Sequence, residues 1–257
     1  MTNKLLFFDV DGTLYNSEKQ LSNATKEAIY RAKENGHIVA IATGRGPFMI
    51  EELRRELAID TFVTYNGQYV VHEGDIVFTD ELTKEQQHDI IAFAASRNEP
   101  VVFMTATEMI ASVPNHDGIG ASLGTLKYPY PRVEVDYFKN NPVYQLLLYT
   151  PVEQERIYTE RFDYVQLVRW HEASCDVLPK AGSKARGIQK LAKRLRFKMK
   201  DVIAFGDGLN DVEMLQAAGI GVCLGNGHEK AKAAADYVVA HVDDEGLSQA
   251  MRMLKLI

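Results

Sequence analysis

The amino-terminal quarter of the chain alternates between continuous apolar runs and longer stretches in which apolar residues recur at helical spacing. A run such as IVAIA at Ile38–Ala42 is typical of a strand buried on both faces of a sheet. The predicted elements are strand Leu5–Val10, a helix near Asn23–Glu34 that ends at Gly36, strand Ile38–Ala42, helix Phe48–Leu57 and strand Thr61–Tyr65. This βαβαβ order indicates a parallel sheet flanked by helices.

The carboxyl-terminal third repeats this pattern. Its predicted elements are helix Lys184–Leu195, strand Val202–Phe205, helix Asp211–Ala218, strand Ile220–Leu224, a short Ala-rich helix, strand Tyr237–Ala240 and a final helix. Because the two ends of the chain follow the same alternation, we expect both to contribute strands to one sheet.

The region between them has a different pattern. Residues Gln68–Phe78 alternate around Glu73-Gly74-Asp75 and predict a β-hairpin. Thr83 and Gln86 have the spacing of a capping box, which predicts a helix from there to about Arg97. Prolines and short β-rich runs such as VYQLLLY and VQLVRW then replace the regular alternation.

These changes predict two domains. We expect an α/β domain with a doubly wound parallel sheet at residues 1–80 and 180–257, interrupted by an inserted α+β domain at residues 81–179. The stretch Pro179–Gly182 is the expected returning linker.

Composition narrows the classes of function. The chain has 257 residues, 46% of them hydrophobic, so it can bury a substantial core. Its net charge of −6 gives no overall attraction to nucleic acid or an anionic membrane. No apolar stretch is long enough to span a membrane, and Cys175 and Cys223 lack metal-site spacing. We expect a soluble cytoplasmic protein with reduced cysteines, and the oligomeric state stays open.

Two acidic residues, Asp9 and Asp11, follow the first predicted strand. Two ionised carboxylates about 4 Å apart repel by about 4 kcal/mol at an effective dielectric of 20, so such a pair implies a cation, a proton or both. The alternative is that both residues only form a turn, since Asp and Gly are common turn residues.

The second strand ends in Thr43-Gly44-Arg45 at the same predicted sheet edge. A hydroxyl group and free backbone N–H groups there are suited to bind a phosphate, although Thr43 is also explained by a capping role. After the strand Val202–Phe205 comes a second acidic cluster with Asp207, Asn210 and Asp211. Asn210 or Asp211 is explained equally well as a helix cap, but Asp207 lies too early for that role. Such hard oxygen ligands are typical of a magnesium site.

A cation is also expected near these carboxylates. Lys184 at the start of a predicted helix is the candidate, and Lys180 is the competing one. The alternative for either residue is an ordinary solvated surface lysine.

The four segments DVDGT, ATGR, GSK and GDGLND, in this order, resemble the motifs of the haloacid dehalogenase-like phosphatase superfamily, and within it the Cof-type hydrolases. The similarity spans nearly the whole chain. The insertion between the second and third motifs is similar to the large α/β cap of that family. The resemblance therefore implies a Rossmann-like core with an inserted cap.

The resemblance also implies a mechanism. Asp9 is the expected nucleophile, which forms an aspartyl-phosphate, and Asp11 is the expected general acid and base. Mg²⁺ is expected on the Asp9 side chain, the Asp11 main-chain carbonyl and Asp207, with support from Asp211. The expected phosphate-binding groups are the main chain of Val10 and Gly44 and the side chains of Thr43, Lys184 and Asn210, with Arg45 and Asn66 nearby.

The expected function is magnesium-dependent hydrolysis of small soluble phosphomonoesters, such as sugar phosphates or related metabolites. The expected partner is thus a small phosphorylated metabolite, with no nucleic acid and no membrane. Two alternatives stay open at this point, a receiver-type signalling module that keeps its phosphate and a phosphohexomutase. Specificity is also open, because any of several polar residues of the insertion is able to line a pocket, among them His116, Asp117, Tyr128, Arg132 and His171.

Overall fold

The computed structural model describes residues 3–257. The chain forms two compact units. The first contains the chain through Arg45, Met49–Thr79 and Ser183–Ile257, and the second contains Gly46–Phe48 and Asp80–Gly182. Within the described residues, no helix is both long and apolar enough to cross a membrane.

The first part of unit one contains β1 (Leu5–Phe8), α1 (Asn23–Glu34), β2 (Ile38–Ala42), α2 (Glu51–Leu57), β3 (Thr61–Thr64), β4 (Tyr69–His72) and β5 (Asp75–Thr79). Three predicted bounds in this part were wrong. Strand β3 ends at Thr64 instead of Tyr65. Strand β1 ends at Phe8 instead of Val10, because the Val10 carbonyl accepts hydrogen bonds from Thr13 and Tyr15 in a turn. Helix α2 begins at Glu51, after a 3₁₀ turn at Pro47–Ile50.

The second unit contains α3 (Lys84–Ser96), β6 (Val101–Met104), β7 (Met109–Ala111), α4 (Asp117–Thr125), β8 (Arg132–Val133), α5 (Tyr137–Asn140), β9 (Gln145–Leu148), α6 (Glu155–Arg161), β10 (Val165–His171) and β11 (Ser174–Pro179). The chain then returns to unit one with α7 (Lys184–Arg194), β12 (Val202–Gly206), α8 (Val212–Ala217), β13 (Ile220–Cys223), α9 (Glu229–Ala234), β14 (Tyr237–Val238) and α10 (Gly246–Met253).

The sheet of unit one has eight strands in the order β14-β13-β12-β1-β2-β3-β4-β5. Strands β14 to β3 in this order pair in parallel, and β4 and β5 add an antiparallel hairpin. The central strand β1 pairs Leu5 with both Val202 and Ile38. The prediction that both ends of the chain form one sheet is confirmed.

The central strands are buried on both faces, as their uniform apolar sequence requires. All four residues of β1 are completely buried. Leu5 and Phe7 pack with Ile188 and Leu191 of α7 in one core cluster. Helices α1 and α10 contact each other, and α1 also contacts β2. Burial on both faces leaves only the strand ends to carry polar chemistry.

The predicted hairpin is confirmed between β4 and β5. Glu73 and Gly74 at its tip both have positive φ, 50° and 89°. Two consecutive left-handed residues match the twist of the flanking strands, which explains the Glu-Gly pair.

The second unit has a six-stranded sheet in the order β10-β11-β9-β6-β7-β8. Its pairs are antiparallel except β7 with β8. The predicted capping box opens α3, with Thr83 and Gln86 in reciprocal hydrogen bonds. One face of the sheet forms an apolar core that includes Ile90, Phe103 and Tyr158. This unit is therefore an α+β domain, as its sequence predicted, with a mainly antiparallel sheet.

Candidate active site

The functional side chains lie at the carboxyl ends of the parallel strands of unit one. Asp9 follows β1, Thr43 follows β2 and Asp207 follows β12. Because these strands are adjacent and parallel, their carboxyl ends share one sheet edge. Segments that are far apart in the sequence thus meet there.

Lys184 lies at the centre of the site. Its Nζ donates hydrogen bonds of 2.6 Å to Asp9 Oδ1 and of 2.6 Å to Asp211 Oδ1. The lysine side chain is completely buried. Burial opposes its charge, but the carboxylates of Asp211 and Asp9 outweigh burial and raise the pKa of Lys184 above its ordinary value. Lys184 is therefore a buried ammonium ion. The competing candidate, Lys180, is exposed.

Three carboxylates converge at this point. Asp9, Asp207 and Asp211 each place an oxygen within 4.8 Å of the others. In the absence of a cation, burial raises the pKa of Asp9 well above its ordinary value, Lys184 opposes the shift, and Asp211 and Asp207 add to it. Burial likewise raises the pKa of Asp207 to about 6, although a hydrogen bond from Thr13 opposes that shift. Excess buried negative charge is thus concentrated here.

Asp211 organises the loop after β12. Its Oδ2 accepts hydrogen bonds from the backbone N–H groups of Asp207 at 2.9 Å and Gly208 at 2.8 Å, while Oδ1 accepts from Lys184. The carboxylate is completely buried. Its hydrogen-bonding capacity is therefore used to hold Lys184 and the Asp207 backbone.

The position of Lys184 depends on a close backbone contact. A Cβ atom on Gly67 would lie 2.0 Å from the Ser183 carbonyl oxygen, and one on Gly187 would lie 2.9 Å from Gly67 Cα. Only glycine at position 67 allows the first turn of α7 to approach the turn after β3 this closely. This approach brings the Lys184 ammonium group into the site.

The phosphate-binding candidates lie on the adjacent strand ends. The Thr43 hydroxyl accepts a hydrogen bond of 3.1 Å from Arg45 N, which leaves its own hydrogen available as a donor. Asn210 Nδ2 donates to Asn66 Oδ1 at 3.0 Å, and Asn66 N donates to the Thr43 carbonyl. The loops after β2, β3 and β12 are thus linked.

Asn66 has an unusual backbone conformation. Tyr65, Asn66 and Gly67 have positive φ values of 52°, 51° and 100°. Left-handed backbone costs a residue with a Cβ roughly 1–2 kcal/mol, and such strain concentrates at functional sites. The strained turn places the Asn66 side chain against Asn210.

The Asp11 side chain pairs with Arg45, a contact that the sequence did not predict. Its carboxylate receives two hydrogen bonds of 2.7 Å from Arg45, through Nε and one terminal nitrogen. The Asp11 side chain is 44% exposed and is not part of the three-carboxylate group. Arg45, predicted near the phosphate, pairs with Asp11 in this structure.

Sequence analysis missed Asn226. This residue follows β13 and donates from Nδ2 to the Gly12 carbonyl at 2.8 Å and to Asp207 Oδ2 at 3.2 Å. A signal was present, since Gly225-Asn226-Gly227 lies just after a predicted parallel strand, as the other site residues do. The hydrogen bond from Thr13 to Asp207 was also not predicted.

The donor set fits a hard divalent cation. Asp9 and Asp207 offer carboxylate oxygens close to each other, and the site contains more carboxylate charge than the Lys184 ammonium balances. Oxygen ligands with excess negative charge suit Mg²⁺, which keeps waters and substrate oxygens in its remaining positions.

Comparisons with known proteins agree with this geometry. The model of the haloacid dehalogenase-like hydrolase family matches residues 6–251. The chain is 40% identical over 257 residues to "Putative phosphatase YkrA" of Bacillus subtilis, with 100% of both chains covered. A crystal structure of a hypothetical protein from Geobacillus kaustophilus has a TM-score of 0.95 and 46% identity, again with 100% of both chains covered. The sugar phosphatase BT4131, of subclass IIB in this superfamily, has a TM-score of 0.87 and 31% identity over 99% of this chain and 100% of its own.

Proposed function

Because the chain belongs to the haloacid dehalogenase-like hydrolase family and is a hydrolase of phosphate esters, we propose that it dephosphorylates small phosphomonoesters with Mg²⁺ through an aspartyl-phosphate on Asp9. One observation carries this proposal. The buried carboxylates of Asp9, Asp207 and Asp211 converge around Lys184 at the carboxyl edge of the sheet.

Asp9 is the proposed nucleophile. Lys184 holds its Oδ1 at 2.6 Å, which orients the carboxylate and leaves Oδ2 to attack phosphorus. A carboxylate nucleophile divides one difficult displacement into two steps, formation of the acyl-phosphate and its hydrolysis. The Asp9–phosphorus bond forms as the ester oxygen leaves, and water then attacks the phosphorus of the acyl-phosphate to release inorganic phosphate and free Asp9.

Asp9, Asp207 and the main-chain carbonyl of Asp11 are the proposed Mg²⁺ ligands. Asp211 is proposed to support this set without binding the ion, because its carboxylate holds Lys184 and two backbone N–H groups in place. A bound Mg²⁺ supplies positive charge to the oxygens of the transferring phosphoryl group.

The proposed phosphate site uses Lys184 and donors from the adjacent strand ends. Lys184 Nζ has three hydrogens, of which Asp9 and Asp211 take two. The Thr43 hydroxyl, the Asn210 amide and the backbone of Val10 and Gly44 complete the set. Such preorganised donors stabilise charge that develops in the transition state, typically by about 3 kcal/mol each.

Asp11 is the proposed acid for the leaving alcohol and the base for the attacking water. Arg45 holds its carboxylate in two hydrogen bonds, and the entering phosphate competes for the same guanidinium group. Asp11→Asn should slow alkyl esters about 10²-fold or more but should impair acyl-phosphate formation from an activated aryl ester much less. Equal losses for both ester types would contradict the leaving-group role.

The proposed substrates are sugar phosphates or related metabolites. The similar protein BT4131 is described as a sugar phosphatase, and a net charge of −6 disfavours a polyanionic partner such as nucleic acid. We also propose a cytoplasmic setting, in which Cys175 and Cys223, both buried and free, stay reduced.

The test is a panel of phosphorylated metabolites, incubated with and without Mg²⁺ and assayed for released phosphate. The proposal expects Mg²⁺-dependent phosphate release. Accumulation of a stable acyl-phosphate without release would indicate a receiver-type module, and isomerised sugar phosphate would indicate a mutase. Either result would overturn the phosphatase assignment.

A further inference from the structure

The loop after β13, residues 225–228, contacts the segment that carries Asp207. His228 N donates a hydrogen bond of 2.8 Å to the Asp207 carbonyl, and Gly225 N donates one of 3.0 Å to the Ala240 carbonyl. The loop is thus fixed at both ends by main-chain hydrogen bonds. Asn226 lies between these two attachments.

Every polar group of the Asn226 side chain has a partner. Its Nδ2 donates to the Gly12 carbonyl at 2.8 Å and to Asp207 Oδ2 at 3.2 Å, and its Oδ1 accepts from Val242 N at 3.0 Å. The Val242 bond fixes which way the amide faces, because only the oxygen is able to accept from N–H. The nitrogen is thereby directed at Asp207.

Asn226 and Thr13 together fix the Asp207 carboxylate. Thr13 Oγ1 donates to Oδ1 at 2.8 Å while Asn226 donates to Oδ2 at 3.2 Å, so each oxygen is held by a separate donor. Rotation of the carboxylate would break both bonds. Each carboxylate oxygen accepts two hydrogen bonds or ligand contacts, so one lone pair on each stays available for a cation.

The same amide also fixes the Gly12 turn. Gly12 has φ of +82°, and a Cβ on this residue would lie 2.3 Å from Asp207 Oδ2. Its carbonyl belongs to the peptide group next to the Asp11 carbonyl, the main-chain ligand of the proposed metal site. Asn226 therefore contacts two of the segments that would bind Mg²⁺.

We propose that Asn226 is a positioning residue of the metal site, which sets the Asp207 carboxylate and the Gly12 turn in the geometry that binds Mg²⁺. This inference rests on the proposed function, because it presumes that Asp207 is a ligand. Outer hydrogen-bond partners of this kind typically change metal affinity by about 10- to 100-fold. In the sequence, this residue lies in the pattern Gly-Asn-Gly directly after a parallel strand.

The test measures Mg²⁺ binding to the full chain without substrate, by isothermal titration calorimetry, for wild type and Asn226→Ala. We expect the dissociation constant to rise at least about tenfold. Activity should need correspondingly more Mg²⁺, and kcat at saturating Mg²⁺ should recover to within about threefold of wild type with little change in the substrate KM. If the alanine variant folds poorly, the same titration is performed on Asn226→Ser, which keeps one small polar group.

The matched control is Ser17→Ala. Ser17 also joins the segment after β1 to the region after Asn226, since its hydroxyl donates to Asp243 Oδ2 at 2.8 Å, but it contacts no carboxylate of the site. The Mg²⁺ affinity of the Ser17→Ala variant should stay at the wild-type value. A purely structural role for Asn226 would lower the melting temperature in EDTA and leave the Mg²⁺ dissociation constant within twofold of wild type, and that result would overturn the inference.

The two proposals fail in different ways. If wild type binds Mg²⁺, the variant binds it weakly and neither releases phosphate, the proposed function is wrong and the role of Asn226 stands. If wild type hydrolyses esters with Mg²⁺ and the variant binds Mg²⁺ equally well, the role of Asn226 is wrong and the function stands. If wild type binds no Mg²⁺, both are overturned.

Discussion

Each of the two units contains a buried ionic cluster, and the clusters differ in charge balance. In unit one, the ammonium of Lys184 binds two of three neighbouring carboxylates. In unit two, the carboxylate of Glu99, only 8% exposed, accepts hydrogen bonds from Tyr158, from Thr150 at 3.0 Å and from Arg97 at 3.1 Å. The first cluster has excess negative charge. In the second cluster, hydrogen-bond donors surround a single carboxylate.

This difference separates a reactive site from a structural one. A buried charge whose partners satisfy it stabilises one conformation and gains little from a ligand. A buried group of like charges is destabilised until a cation or a proton joins it. Burial of an ionisable side chain alone is therefore a poor indicator of function, and unbalanced buried charge is a better one.

Asp9→Asn gives the largest expected contrast between the two clusters. The variant lacks the nucleophile, so kcat should fall by about 10⁴-fold or more. Stability should not fall, because the substitution removes one of several mutually repelling carboxylates. Phosphate release and thermal unfolding in EDTA measure the two effects. Retained activity would remove the nucleophile assignment.

Glu99→Gln should lower stability and leave activity unchanged, the opposite of Asp9→Asn. Loss of the charged acceptor leaves Arg97 and Tyr158 poorly paired, which should lower the free energy of unfolding by about 3 kcal/mol. Activity per folded molecule should stay near that of wild type. Urea denaturation checks the first expectation, and Glu108→Gln, in an exposed ion pair with Arg132, is the control that should cost less than about 1 kcal/mol.

Asp207→Asn tests the unbalanced charge of unit one. The substitution should change how the free energy of unfolding of the metal-free protein depends on pH. The pKa of Asp207 is raised to about 6, from an ordinary value of 3.8. Between these values the folded state binds more protons than the unfolded state, so this carboxyl group lowers stability as pH rises from about 4 to 6. In EDTA the variant should therefore gain stability over wild type as pH rises through this window, by up to about 1.4 kcal/mol for each unit of pKa shift.

Denaturation of both proteins across pH 4–8 in EDTA measures this gain. Saturating Mg²⁺ should reverse it, because the cation stabilises the wild-type carboxylate and binds the variant weakly. A stability difference that does not change with pH would show that the Asp207 carboxyl group titrates normally.

Tyr158→Phe is the smallest expected change. Burial, followed by the hydrogen bond to Glu99, raises the pKa of Tyr158 above its ordinary value, so the hydroxyl is a neutral donor at all physiological pH values. Its loss should cost about 1.5 kcal/mol, as for a hydrogen bond to a charged group, and leave activity unchanged. A large loss of activity instead would mean that the cluster of unit two also serves catalysis.

Local sequence determined much of the fold. The uniformly apolar strands, the capping box at Thr83 and Gln86, and the Glu73-Gly74 turn each depend on neighbouring residues, and all were predicted. The four motifs also identified which residues gather at the sheet edge, because parallel strands place their carboxyl ends together whatever the loops do. Asp9, Asp207 and Asp211 were predicted for this reason, and Lys184 was predicted because a cation is expected near these carboxylates.

Only the tertiary structure decided how those side chains pair. The Asp11 carboxylate accepts two hydrogen bonds from Arg45, and Asn226 donates a hydrogen bond from the loop after β13 to Asp207. Sequence spacing gives the positions of residues along a strand or loop but not the direction of a side chain, which is set by contacts with other segments of the folded chain, as between Asp11 and Arg45, 34 positions apart. The balance between buried carboxylates and the Lys184 ammonium group, on which the chemistry of the site depends, is therefore a property of the folded chain.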